Sequence, residues 1–193
     1  MKKVILLLCM MVMPLAAQER LTTPEWLELL ATDAPGTVIL MRHGQTDGKP
    51  YDGWTAEELN QRSGQRLLSA SGVARCKRIG ELLRAAGLQF TNVYSSPLVR
   101  AVDTSRLVFG QSAEIWQALA SADINPADAE AELQQRMKEI HDGGSRAIWV
   151  THSPNIHYLT GIAAADGEML LADVVKENTK YRLVIKARWR LTE

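Results

Sequence analysis

The sequence predicts an α/β fold, a three-layer sandwich in which helices flank a mostly parallel central sheet. Two observations predict it. Short continuous apolar runs recur along the chain, with the length and β-branched content of strands buried on both faces. Between them lie stretches whose apolar residues repeat at helical spacing, and strands that alternate with helices build βαβ units with parallel strands. The 193 residues suffice for one compact domain, and no internal repeat, low-complexity tract or interdomain linker divides them.

The elements follow in chain order. Lys2 and Lys3 precede an apolar run from Val4 to Leu15, then Ala16 and Ala17. A basic start, a short apolar core and small residues are the layout of a secretory signal peptide. Cleavage is expected after Ala17, leaving residues 18–193 as a single domain in the periplasm or outside the cell, with no stable membrane insertion. The rival reading, a retained anchor, requires a longer run, since roughly 20 apolar residues span a bilayer. Thr23-Pro24 reads as N-cap and first position of a short helix, Glu25–Ala31, that ends before Pro35-Gly36. Thr37–Met41 is the first strand. Residues 44–70 form a long polar stretch with one capping-box signal, Thr55 and Glu58.

From Ser71, the spacing of Val73, Cys76, Ile79 and Leu83 marks a helix closed by Gly87. Asn92–Ser95 is a second strand, and Pro97 opens a helix through about Phe109. Ile115-Trp116 is a candidate third strand. Asn125-Pro126 starts another helix, with Ala129, Leu133, Met137 and Ile140 on its buried face and Gly143-Gly144 at its end. Ala147–Thr151 is a fourth strand. A short helix from Pro154 and strands near Glu168–Val175 and Tyr181–Arg190 complete the pattern.

Charge and cysteine content exclude some classes. Lys plus Arg and Asp plus Glu number 22 each, without the basic excess of a nucleic-acid binder. Removing the leader removes two lysines, no acid, and Cys9. Cys76 is then the sole thiol, so no intramolecular disulfide forms; it reads as a small buried hydrophobe. His141, near a helix end, reads as a partner of the helix dipole. His157 lies five residues after His152, which does not fit helical zinc-ligand spacing, and no metal or cofactor is expected.

In α/β sheets ligands bind beyond the C-terminal ends of the strands. Arg42-His43-Gly44-Gln45-Thr46 follows the first predicted strand, Ser96-Pro97-Leu98-Val99-Arg100 the second, and His152-Ser153-Pro154-Asn155 the fourth. Two arginines and two histidines therefore converge on one rim. Arg offers a rigid fork of donors that matches phosphate oxygens, and a neutral imidazole is a nucleophile near pH 7. Phosphoryl transfer needs positioning and charge compensation above all, which these groups supply. Helix starts after Arg42-His43-Gly44 and after Ser96 are expected to add backbone N–H donors. In the polar stretch, Lys49, Arg62 and Arg66 are candidates for a second anionic group, and Tyr51 and Trp54 for a lid.

Arg42-His43-Gly44 with Thr46 resembles the RHG-x-T signature of the histidine phosphatase superfamily, in its phosphoglycerate-mutase-like branch. Leu68-Ser69-Ala70-Ser71-Gly72, Ser95-Ser96-Pro97-Leu98-Val99-Arg100-Ala101-Val102-Asp103-Thr104 and Val150-Thr151-His152 are similar to three further motifs of that branch, in the same order. The resemblance covers roughly residues 37–155. It implies that His43 attacks phosphorus and carries a phosphohistidine, that Arg42, Arg100 and His152 neutralise the phosphoryl oxygens, and that Gly44, Gln45 and Thr46 line the substrate. It also implies a general acid after the third strand, where the branch carries Glu. Here the nearest carboxylates are Asp123 and, second, Glu114. Ser153 replaces the glycine that usually follows the second histidine.

The implied activity is metal-independent hydrolysis of a phosphomonoester. An export leader points to a sugar phosphate such as the heptose phosphate of lipopolysaccharide core, so the expected partner is a small-molecule phosphomonoester or a lipid-linked sugar phosphate. Two other readings stand beside it: a phosphohistidine phosphatase, and a non-catalytic phosphate or sugar-phosphate binder, motivated by the missing Glu.

Overall fold

The computed structural model of the chain describes residues 19–32, 35–48, 62, 64–120 and 126–192. The leader at 1–17, Lys49, Tyr51, Trp54, the Thr55–Glu58 capping box and Asp123 lie outside these residues.

The elements are α1 (Thr23–Thr32), β1 (Thr37–Arg42), α2 (Ala70–Ala85), β2 (Val93–Ser95), α3 (Val99–Phe109), β3 (Glu114–Ile115), α4 (Pro126–Gly143), β4 (Arg146–Thr151), α5 (Ser153–Thr160), β5 (Met169–Glu177) and β6 (Lys180–Trp189). One turn of 3₁₀ helix, Gln117–Leu119, follows β3. The sheet order is β3-β2-β4-β1-β5-β6. The first four strands in that order run parallel, while β5 pairs antiparallel with both β1 and β6. A tight hairpin joins β5 to β6, with Asn178 at φ 56°, a left-handed position that asparagine tolerates.

The continuous apolar run of β1 is explained by two cores. Val38 and Leu40 face a cluster with Trp149, Leu133, Met137 and Ile140 under α4. Ile39 and Met41 face the other, with Cys76, Ile79, Leu83, Trp26 and Trp189 under α1 and α2. Trp26 stacks on Trp189 at 5.9 Å between ring centroids. Cys76 is buried there, and burial pushes its thiol up to about 11, so it packs as a hydrophobe. His141 sits in the last turn of α4, against Asp142 and the ring of Tyr181.

Three boundaries differ from expectation, each for a capping reason. At α1 the cap is Thr22: Glu25 reaches back to accept from the Thr22 N–H at 2.8 Å, and Trp26 N donates to Thr22 O. Helix α3 starts at Val99, two residues after Pro97, because Val99 N is capped by Gln65 Oε1 at 2.8 Å. Among the described residues no helix starts at 44–48: Thr46 bridges Leu68, and α2 begins at Ala70, with Ser69 Oγ accepting from Gly72 N at 2.9 Å.

Candidate active site

Parallel pairing of β1 with β4 aligns Arg42 with Thr151, so the residues that follow each strand meet at one rim. His43 N donates to Thr151 O at 3.0 Å, and Gly167 N donates to His43 O at 3.0 Å. Gly44 N donates to Thr104 Oγ1 at 2.9 Å, and that hydroxyl donates to Arg100 O at 2.7 Å. These contacts tie the His43 backbone to β4, to the loop before β5 and to α3.

Gly44 and Gly72 are set by close packing. A Cβ on Gly44 would lie 2.6 Å from Cys76 Sγ, and one on Gly72 would lie 2.1 Å from Gln45 O. The backbone of 44–45 is thus pressed against the start of α2, and no side chain fits between them. Gln45 is exposed, and its Oε1 accepts from Ser71 Oγ at 3.2 Å. Thr46 sits in the bridge to Leu68. Gln45, expected to line the substrate, meets the α2 start, where Ser69 Oγ donates to its backbone O and Ser71 Oγ to its Oε1.

The imidazoles of His43 and His152 lie 5.2 Å apart, ring centroid to centroid, and both are buried. His43 Nδ1 is 2.8 Å from Gly44 O. A carbonyl only accepts, so Nδ1 carries the hydrogen and Nε2 holds a free lone pair. Burial pushes the His43 pKa down to about 3, with the charges of Arg100, Arg42 and Arg66 adding to the shift and the Gly44 carbonyl opposing it. His152 is held well below its ordinary value, first by burial and then by Arg100. Both rings are therefore neutral near pH 7.

His152 caps α5. Arg100 Nη2 lies 3.3 Å from its Nδ1, and its Nε2 lies 2.8 Å from Ser96 Oγ. With Arg100 as donor to Nδ1, the Nε2–H donates to Ser96, whose hydroxyl also receives Leu98 N at 3.2 Å. Arg100 was open to a simple i+3 pairing with Asp103, but Asp103 instead takes Arg62 in a bidentate pair. Arg100 is 6% exposed, and burial, with Arg66 and Arg42 adding repulsion, lowers its pKa to about 10.

Arg42 donates from Nη1 to Ala164 O at 2.8 Å and sets Nη2 2.7 Å from Asp166 Oδ1. Its Nε has no hydrogen-bond partner among the described residues. The charges of Arg66, Arg42 and Arg100 all act on the two neutral imidazoles, so the site is biased toward anions. Such a set suits a doubly charged oxyanion.

Of the carboxylate candidates for the acid, Glu114 lies on the edge strand β3 with its side chain exposed. The segment that follows is pinned to the end of β4, with Thr151 Oγ1 donating to Leu119 O at 2.8 Å and Asn155 Nδ2 to the same oxygen at 3.0 Å. Ser96, Thr104, Gln65 and Asp166 were not singled out from the sequence. Ser96 and Thr104 were inside a recognised motif, and that membership was the signal available for them.

The profile of the histidine phosphatase superfamily (branch 1) matches residues 38–154. The 2,3-bisphosphoglycerate-dependent phosphoglycerate mutase of Clavibacter michiganensis subsp. michiganensis is 32% identical over 85 residues, 42% of this chain and 30% of that one. That of Streptococcus sanguinis is 26% identical over 110 residues, 55% of this chain and 39% of that one. The chain thus spans about a third of the length of these curated relatives. Among solved structures, the protein histidine phosphatase SixA complexed with tungstate aligns with a TM-score of 0.59 at 17% identity, covering 79% of this chain and 96% of that one. A phosphoserine phosphatase of Entamoeba histolytica in complex with 3-phosphoglyceric acid aligns at 0.51 and 14% identity, covering 80% and 97%. These likenesses establish a shared α/β fold. With its profile spanning more than half of the residues and its motifs falling at the strand ends just described, the chain belongs to the histidine phosphatase superfamily, branch 1.

Proposed function

We propose that the chain is a metal-independent phosphatase that hydrolyses a small phosphomonoester through a phosphohistidine on His43. The observation that carries this reading is the His43 ring itself: Nδ1 is committed to Gly44 O, and Nε2 is a neutral, buried lone pair under the positive charge of Arg100, Arg42 and Arg66. In the first step Nε2 attacks phosphorus, an N–P bond forms, and the P–O bond to the alcohol breaks. The departing oxygen takes a proton. In the second step water attacks the phosphohistidine, the N–P bond breaks, and phosphate leaves. Arg42, Arg66 and Arg100 compensate charge on the phosphoryl oxygens, with His152 beside them holding Arg100 through Nδ1.

Asp123 is the proposed proton donor to the leaving oxygen. A sugar phosphate, such as the heptose phosphate of lipopolysaccharide core, is the proposed substrate, supported by the leader-like residues 1–17 and a periplasmic or secreted location. A second reading, hydrolysis of phosphohistidine, is favoured by the exposed position of Glu114, since imidazole leaves more easily than an alkoxide.

Hydrolysis of p-nitrophenyl phosphate, an alkyl phosphate and a phosphoramidate in EDTA tests these readings. Activity that survives EDTA and falls at least about 10⁴-fold in His43→Ala is expected. Loss of alkyl phosphate turnover alone in Asp123→Asn supports the acid assignment. A chain that binds phosphate but traps no phosphohistidine is a binder, and the proposal fails.

A further inference from the structure

The loop between α5 and β5 has no role in the chemistry above, yet it meets the Arg42-His43 segment repeatedly. Ala164 O accepts from Arg42 Nη1 at 2.8 Å, and Asp166 Oδ1 lies 2.7 Å from Nη2. The backbone adds two bonds: Arg42 N donates to Glu168 O at 3.0 Å, and Gly167 N to His43 O at 3.0 Å. One side of the guanidinium fork is thereby occupied, and Nε, without a partner among the described residues, remains for an anion.

The loop is itself held from behind. Glu168 is fully buried, and its carboxylate accepts from Arg20 Nε at 2.9 Å, Arg20 Nη2 at 3.1 Å, Arg188 Nε at 3.0 Å and Ala165 N at 2.7 Å. Arg190 Nε donates to Asp166 O at 3.2 Å. A buried carboxylate with this many charge-assisted donors is locked in place. The segment that presents Ala164 and Asp166 to Arg42 is consequently rigid, as a support for a binding group must be.

We propose that Asp166 is a positioning residue for phosphoryl transfer, holding the Arg42 guanidinium, together with Ala164 O, in the orientation that meets the phosphoryl oxygens. The inference rests on the functional reading above. The Asp166 contact sits at ion-pair distance but outside hydrogen-bond geometry, so its hold on Arg42 comes from charge. The isosteric Asp166→Asn should therefore lose most of the effect.

The test compares Asp166→Asn, Asp166→Ala, Arg42→Ala and the Asp166→Ala/Arg42→Ala double variant in the full chain. It measures kcat and KM for p-nitrophenyl phosphate and for an alkyl phosphate, and the dissociation constant of tungstate by calorimetry. Each Asp166 variant is expected to lower kcat/KM about tenfold or more, by the same factor for both leaving groups, and to weaken tungstate similarly. In the Arg42→Ala background, Asp166→Ala should cost nothing further. If Asp166→Ala fails to fold, Asp166→Asn carries the test. Additive losses in the double variant would overturn the proposal, and so would a loss confined to the alkyl phosphate, the signature of a general acid. Wild type that neither turns over nor binds tungstate overturns the functional reading and this inference with it. Active wild type with unchanged Asp166 variants overturns the inference alone.

Discussion

The two arginines that flank the histidine pair are held in opposite ways. Arg42 is partly exposed and rests against a carboxylate and a carbonyl, with the buried Glu168 behind them. Arg100 is buried, with Nη2 3.3 Å from a neutral imidazole, and burial, followed by the charges of Arg66 and Arg42, lowers its pKa. One side of the site thus rests on a carboxylate braced from behind, and the other buries its guanidinium beside an imidazole. A bound dianion favours the charged form of that buried guanidinium, so the Arg100 side supplies the pull and the Arg42 side the aim.

This contrast can be broken or sharpened by measurement. The largest expected effect is on activity. Arg100→Ala should lower kcat/KM about 10³-fold, which is about 4 kcal/mol, with a smaller change in Tm than Arg42→Ala, because burial already disfavours its charge. Arg42→Ala should lower activity comparably and also reduce Tm, since it strands Asp166 and Ala164 O. Equal Tm changes in the two variants would erase the distinction.

Next comes Glu168→Gln, which leaves the half-buried Arg188 beside an amide. A loss of about 3 kcal/mol in urea unfolding is expected, whereas less than 1 kcal/mol would make the triad dispensable.

The two sides should also fail in different pH windows. Buried histidines with lowered pKa resist protonation in the fold, while the unfolded chain takes up protons below about 6.5. Stability then falls by about 1.4 kcal/mol per pH unit for each histidine, or about 2 kcal/mol each between pH 6.5 and 5. His43→Gln should halve that slope in phosphate-free buffer. Glu168 has a lowered pKa, because the bonds from Arg20 and Ala165 outweigh the desolvation that raises it. Its contribution is complete above about 4.5 and is lost only as pH falls through the folded value. A single acid transition that ignores His43→Gln would contradict this separation.

The smallest effect is the control. The exposed Arg62–Asp103 pair should contribute less than about 1 kcal/mol, so Arg62→Ala should leave Tm nearly unchanged.

What could be read from residues alone divides along similar lines. β1 was legible because both its faces are buried, and the RHG segment because chemistry in such sheets follows the strand. Arg42, His43, Arg100 and His152 do meet at that rim. The supports were not legible. Gln65 caps α3 from 34 residues away, and Glu168 meets Arg20 across 148, so in sequence each is only another polar residue near a loop. The contacts of Gln45 were hidden for a related reason: its neighbours Ser69 and Ser71 come close only when the chain doubles back to α2.

The order of the strands has a consequence for when the protein can form. β1, which delivers Arg42 and His43, lies between β4 and β5, whose residues begin at 146 and 169. During synthesis, a strand made early waits for partners encoded more than 100 residues later, and Arg20 waits for Glu168 and Arg188. Contacts this distant fold slowly and late. A chain that cannot close its sheet until nearly all of it exists remains threadable through a translocation pore, the condition that the proposed leader demands of its cargo.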